Sequence, residues 1–157
     1  GMRLSTVQPT EPETAALLSA YFAERAAGFP VPGGYRPATA DPGAFTPPAG
    51  VFLRLDDEDG RAVGIAGLRS LAPDAAGPRM EVKHLYVVPA ERGHGLGRVL
   101  LDELERRARQ AGAATLLLDT NRSLEAAGGL YRSAGFVPVE PYNDNPNATD
   151  WFAKPLR

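Results

Sequence analysis

The chain has 157 residues, 43% hydrophobic and 23% charged, with a net charge of −2; it lacks the clustered Lys and Arg that a surface for DNA or RNA needs. No run of about 18 apolar residues occurs, which excludes a membrane-spanning helix. Cysteine is absent, which excludes disulfides, thiolate metal sites and cysteine-bound intermediates, and two histidines, His84 and His94, cannot build a His-rich metal cluster.

The length predicts a single domain over residues 2–157, with Gly1 ahead of Met2 read as an expression scar. No charged-then-apolar leader opens the chain, so a cytoplasmic location is expected, with neither membrane nor nucleic acid as partner. Arg3 to Val7 alternates weakly and reads as a first strand. Thr10-Glu11-Pro12-Glu13 reads as a helix start, a capping box in which Thr10 accepts the Glu13 N–H and Glu13 reaches back. Leu17, Leu18, Tyr21 and Phe22 share one face at helical spacing, which carries that helix to about Ala27. Gly28 to Gly50, rich in Pro and Gly, fits no period. It is a surface connection or a substrate cover with Tyr35 and Arg36 turned inward.

Val51 to Leu55 is a strand, Asp56 to Gly60 a hairpin turn signalled by Asp-Gly, and Arg61 to Ser70 the returning strand. Gly64 and Gly67 in that strand mark the close approach of another backbone. Leu71 to Pro78 reads as a second loop and Met80 to Val88 as a third strand, ended by Pro89. Leu96 to Ala111 is a helix burying Leu100, Leu101, Leu104, Ala108 and Ala111. Its acid-before-base pairs Asp102–Arg106, Glu103–Arg107 and Glu105–Arg109 each contribute about 0.2–0.5 kcal/mol, and Gly112 stops it. Thr115 to Leu118 is a continuous apolar strand, parallel to Met80–Val88 if the helix is a crossover. Asn121 and Ser123 are caps for a second helix, Leu124 to Ala134. Phe136–Val139 and Asp150–Lys154 are the last strands, separated by the turn formers Pro141 to Asn147.

The central feature is the turn Arg92-Gly93-His94-Gly95-Leu96-Gly97, between a strand and a helix, an arrangement that offers backbone N–H groups to a phosphate. No lysine follows, which argues against a nucleoside-triphosphate loop. Arg98 stands where a dinucleotide fingerprint needs its third glycine, although Asp119 at the end of the next strand would suit a ribose. The turn does satisfy Arg/Gln-x-x-Gly-x-Gly/Ala. With Leu85-Tyr86-Val87-Val88-Pro89-Ala90-Glu91-Arg92-Gly93 before it and Leu130-Tyr131-Arg132-Ser133-Ala134-Gly135-Phe136 downstream, the sequence resembles the GNAT superfamily of acyl-CoA-dependent N-acyltransferases, over roughly Val51 to Arg157. Gly128-Gly129, inside the second helix, departs from the family's usual apolar helix formers.

The resemblance implies an α/β fold: a mixed, largely antiparallel sheet with a parallel, splayed central strand pair and flanking helices. It implies acetyl-CoA as donor, with no metal, and a primary amine of a small molecule or peptide as acceptor, attacking directly in a ternary complex. The pyrophosphate would lie on the backbone of Gly93, His94, Gly95, Leu96 and Gly97, with Arg92 and Arg98 as further phosphate contacts; His94 either donates there or stands in solvent. The pantetheine arm would pair with Leu85, Tyr86 and Val87, with Asn121 bonding it or capping a helix. Tyr131 is the general-acid candidate and Glu81 the base, through water. Tyr35, Arg36, Arg69, Tyr142 and Trp151 are candidates for the acceptor pocket; the stretch from Tyr142 to Phe152 would equally suit a homodimer contact. A non-catalytic acyl-CoA-binding domain of the same fold is the alternative.

Overall fold

The computed structural model describes residues 1–37 and 39–157; Ala38, within the long loop expected at Gly28 to Gly50, lies outside them. Seven strands form one sheet in the order β1-β2-β3-β4-β5-β7-β6. They are β1 (Arg3–Thr6), β2 (Gly50–Asp56), β3 (Ala62–Asp74), β4 (Gly77–Val87), β5 (Thr115–Thr120), β6 (Val137–Val139) and β7 (Asp150–Pro155). All neighbours are antiparallel except β4 and β5. That pair is joined by the helix α2 (Leu96–Gln110), and a helical crossover is what returns a chain parallel to the strand it left.

Period-two side-chain alternation divides the core between two faces. Val51, Leu53 and Leu55 of β2 join α2's Leu100, Leu101 and Leu104 in one cluster, which also holds Tyr131 of α3 (Glu125–Ser133). Phe52, on the opposite parity, packs with Leu18 of α1 (Pro12–Gly28), Phe45, Ile65 and Tyr86. Leu100 and Leu104 are fully buried, and each such side chain contributes about 1.5–3 kcal/mol. Helix α1 thus covers one face, and α2 and α3 the other.

Three local expectations are corrected. Helix α1 is capped by Glu11, not Thr10: its carboxylate accepts from the N–H groups of Glu13 and Thr14, at 3.2 and 3.3 Å, and pairs with Arg54 of β2. That ion pair ties the helix start to the sheet, which Thr10 could not do. Leu71 to Pro78 is not a loop, because β3 and β4 stay paired out to Asp74↔Gly77. The turn is confined to the tip, where the Asp74 carboxylate accepts from the Ala76 N–H at 2.9 Å. Helix α3 takes no side-chain cap; Asn121 is engaged elsewhere. At Gly97 a Cβ would meet Leu130 Cδ2 at 3.3 Å, so its small size serves the packing of α2 on α3. Nothing in the structure explains Gly129, whose Cβ would meet open space.

Candidate active site

The turn between β4 and α2 is built for close approach. A short 3-10 turn, Pro89–Glu91, leads into it. Gly93 and Gly95 hold φ of +83° and +78°, the left-handed region where a side chain costs about 1–2 kcal/mol. A Cβ on either would meet nothing within 4 Å, so the backbone there faces open space. Gly95 is the N-cap of α2 and no side chain caps the helix, leaving its first N–H groups and its dipole free for an anion. The residues therefore fit a pyrophosphate. Two positively charged neighbours are already committed. Arg92 donates to Val87 O at 2.9 Å and pairs with Glu24 of α1 at 2.8 Å, and Arg98 pairs with Asp102. His94 is exposed.

Beside this turn the sheet opens. Strands β4 and β5 pair only from Arg79↔Thr115 to Glu81↔Leu117 and then part. The gap continues into a cavity of about 390 Å³. Its walls come from both faces: Tyr21 and Arg25 of α1 on one side, Ala127 and Tyr131 of α3 on the other, with His84 of β4 and Asp119 of β5 between. Lys83 reaches across the gap to Asp119 at 3.0 Å. Asn143 donates to Asp119 at 2.7 Å and is itself held by the Trp151 indole N–H at 2.9 Å. A second chain stands at the base of the gap: Arg69 donates to Glu81 at 2.8 Å, and the Tyr142 hydroxyl donates to the other oxygen at 2.5 Å.

These surroundings fix protonation. Burial pushes the Tyr131 hydroxyl far above the ordinary tyrosine value, so it remains a proton donor at any working pH. Tyr131 is almost fully buried, and its hydroxyl has no hydrogen-bond partner among the described residues. Burial first, then the charges of Lys83 and Arg69, lower His84 to about 4, which leaves it neutral. Burial raises the carboxyl of Asp119, but Lys83, Asn143 and Asn145 together outweigh it and hold it below its ordinary value.

The structure brings together Tyr131, Leu85, Tyr35 and Arg69, all on the cavity wall. Tyr86 is buried in the α1-side core and Val87 accepts from Arg92. Arg36 is exposed and off the wall, clamped only through its backbone by Asn147 at 2.8 and 2.7 Å. Tyr142 and Trp151 stand behind the wall, where they orient Glu81 and Asn143. Glu81 is fully buried with both carboxylate oxygens engaged. Asn121 is spent on the chain itself, donating to Asn147 O and accepting from the Ser123 N–H. Sequence reading missed Arg25, Lys83, His84 and Asn143 as wall residues or their supports. One signal was present: Arg25 lies four residues after Tyr21, on the apolar stripe of α1, where a charge is out of place.

The comparisons with known proteins agree with this architecture. The model of the acetyltransferase (GNAT) family matches residues 14–136. An uncharacterized N-acetyltransferase of Schizosaccharomyces pombe is 38% identical over 103 residues, 65% of this chain and 61% of that protein. The IAA acetyltransferase of Azospirillum brasilense is 37% identical over 99 residues, 61% of this chain and 64% of that protein. The match thus spans less than two thirds of either relative. A GNAT family acetyltransferase from Elizabethkingia anophelis, solved with acetyl-CoA bound, superposes with a TM-score of 0.66 over 99% of this chain and 98% of that one, at 14% identity, a likeness of fold. A mixed, mostly antiparallel open sheet with one parallel pair that splays beside an uncapped helix N-terminus defines the class. Given the family match over most of its length, the chain belongs to the GNAT acetyltransferase family.

Proposed function

We propose that the protein transfers an acetyl group from acetyl-CoA to a primary amine of a small molecule or peptide. The observation that carries this reading is the adjacency of two features: an anion-ready turn at the start of α2, and a cavity through the splayed strands with Tyr131 on its wall. The acetyl-CoA bound in the Elizabethkingia anophelis neighbour supports the choice of donor.

The backbone N–H groups from Gly93 to Gly97, with the α2 dipole, hold the pyrophosphate. Beyond Glu81 the β4 edge has no strand partner on the β5 side among the described residues; Leu85, Tyr86 and Val87 offer it to the pantetheine arm. Acetyl-CoA, when bound, supplies a thioester carbonyl to the acceptor amine, whose nitrogen forms the C–N bond as the C–S bond breaks. Tyr131, protonated by its burial, donates to the departing sulfur and recovers the second proton that leaves the amine nitrogen as the amide forms. Asp119, the carboxylate of β5 on the cavity wall, accepts the ammonium's hydrogen bond and relays its proton to water. Glu81, engaged on both oxygens, holds Arg69 and Tyr142 in place behind that step.

The test is thiol release from acetyl-CoA over a broad panel of amines, alongside calorimetry of CoA binding. Turnover on at least one amine is expected. Tight CoA binding with no turnover on any would replace this reading with a binding domain.

A further inference from the structure

The wall of the cavity carries three cations, Arg25, Arg69 and Lys83, and two carboxylates, Asp41 and Asp119. Two of the cations are neutralised within the chain. Lys83 pairs with Asp119, and Arg69 pairs at 2.7 Å with Glu81. Arg25 is different: among the described residues no carboxylate lies within 4 Å of it. Asp41, the remaining anion, sits at the exposed rim, where it accepts from the Gly43 N–H at 3.0 Å. The Arg25 guanidinium lies instead over the Tyr35 ring, 5.4 Å from its centroid. Its Nε is buried and has no hydrogen-bond partner among the described residues. A buried guanidinium N–H without an acceptor is costly to leave so. Stacking on an aromatic ring holds the planar fork in one orientation, and that fork matches a carboxylate with two parallel bonds.

Tyr21, one turn before Arg25 on the same helix, also lines the cavity, and burial raises its hydroxyl to about 12, which keeps it neutral. Among the described residues, the surroundings of Arg25 thus supply aromatic surface and hydroxyls but no carboxylate within 4 Å. Among the described residues, the cavity wall has one uncompensated cation, on its α1 side, across the gap from Tyr131.

We infer that the acceptor is an amine that also carries a carboxylate, held by Arg25 at the α1 end of the cavity while its amino group enters the gap between β4 and β5. The inference rests on the proposed acetyl transfer and specifies its substrate class. A volume of about 390 Å³ suits a small amino acid rather than a folded protein.

The experiment compares α-, β- and γ-amino acids with their primary amides, pair by pair, as acceptors for the wild type, Arg25→Gln and Arg25→Lys. Thiol release gives kcat/KM for each member. A charge-assisted bidentate contact predicts that the wild type prefers the acid by about tenfold to a hundredfold. The preference should vanish in Arg25→Gln and persist in part in Arg25→Lys. Equal use of acid and amide by the wild type, or a preference that survives in Arg25→Gln, would overturn the inference. If no amine gives turnover, the catalytic reading falls separately. The carboxylate site is then decided by titrating the same pairs into the CoA-bound protein. Tighter binding of the acid, lost in Arg25→Gln, would uphold it. Equal or absent binding would overturn it.

Discussion

Glu81 separates a chemical role from a positioning one. Replacing it by Gln keeps the shape but removes the charge from a carboxylate that is fully buried between Arg69, at 2.7 Å, Lys83, at 3.7 Å, and Tyr142. Removing one partner of a buried ion pair commonly costs about 3–5 kcal/mol. Arg69 is 37% exposed, so water reaches its guanidinium once the charge is gone, and glutamine still accepts one hydrogen bond. Both effects bring the expected loss to about 1.5–3 kcal/mol. For a chain of this size that is a drop in Tm of about 4–10 °C, read by calorimetry together with urea unfolding. The pH–rate profile for kcat/KM should keep its wild-type midpoints, with a lowered plateau as Arg69 loosens. Disappearance of the acid limb of that profile, with stability intact, would refute the argument and make Glu81 the base.

Tyr131→Phe should lower kcat by about a hundredfold or more with little change in Tm, since the hydroxyl has no hydrogen-bond partner among the described residues; unimpaired turnover would remove it as the acid. Gly95→Ala should cost about 1–2 kcal/mol of stability, from its φ of +78°, and in calorimetry weaken CoA by more than that strain explains, because its Cβ would project into space left for the ligand. Gly50→Ala tests packing alone: a Cβ there would meet Ala44 O and Leu68 O at 2.2 and 2.3 Å, so a loss above about 3 kcal/mol, or failure to fold, is expected, and a near-neutral variant would show the β2 entry to be pliable. His84 is held at about 4, below its ordinary 6.5, so the unfolded chain takes up a proton first as the pH falls. Its contribution is whole above about pH 6.5 and declines by about 3 kcal/mol down to about pH 4; urea midpoints for His84→Gln should lose that slope, and an unchanged slope would count against the assignment.

What the sequence made legible was local. The β4–turn–α2 unit occupies one contiguous stretch, and its glycines, apolar stripe and flanking arginines announce a strand, an anion turn and a helix without reference to the rest of the chain. Tyr131 was legible because its surrounding motif is contiguous too. The cavity wall is not contiguous. Arg25, Asp41, Lys83, Asp119 and Asn143 come from α1, a long loop, two strands and the β6–β7 connection, and no periodicity links them. Arg36 and Trp151 illustrate the cost of guessing from residue type: one is exposed, the other supports Asn143 from behind. Even the misread Leu71–Pro78 segment has a physical reason. Its Ala, Pro and Gly lack strand propensity, and the pairing of β3 with β4 overrides them.

The cavity itself traces to one irregularity in β4. Ile65 pairs with Tyr86 and Gly67 with Lys83, so Ala66 faces two residues, His84 and Leu85. A bulge of this kind raises the local twist and turns the strand away from its neighbour, and the register with β5 ends just before it, at Glu81. His84 carries the strain, with φ of +58°, unusual for any residue but glycine. Tyr21, Phe22 and Phe45 surround its imidazole at ring separations of 5.4–5.7 Å, and this packing offsets the strained backbone. The same three rings belong to α1 and the loop that follows it, the segment that also contributes Arg25 and Tyr35 to the wall. Variation in α1 would therefore act on the cavity wall and on the bulge together, and it meets the turn at the start of α2 at the exposed Glu24–Arg92 pair.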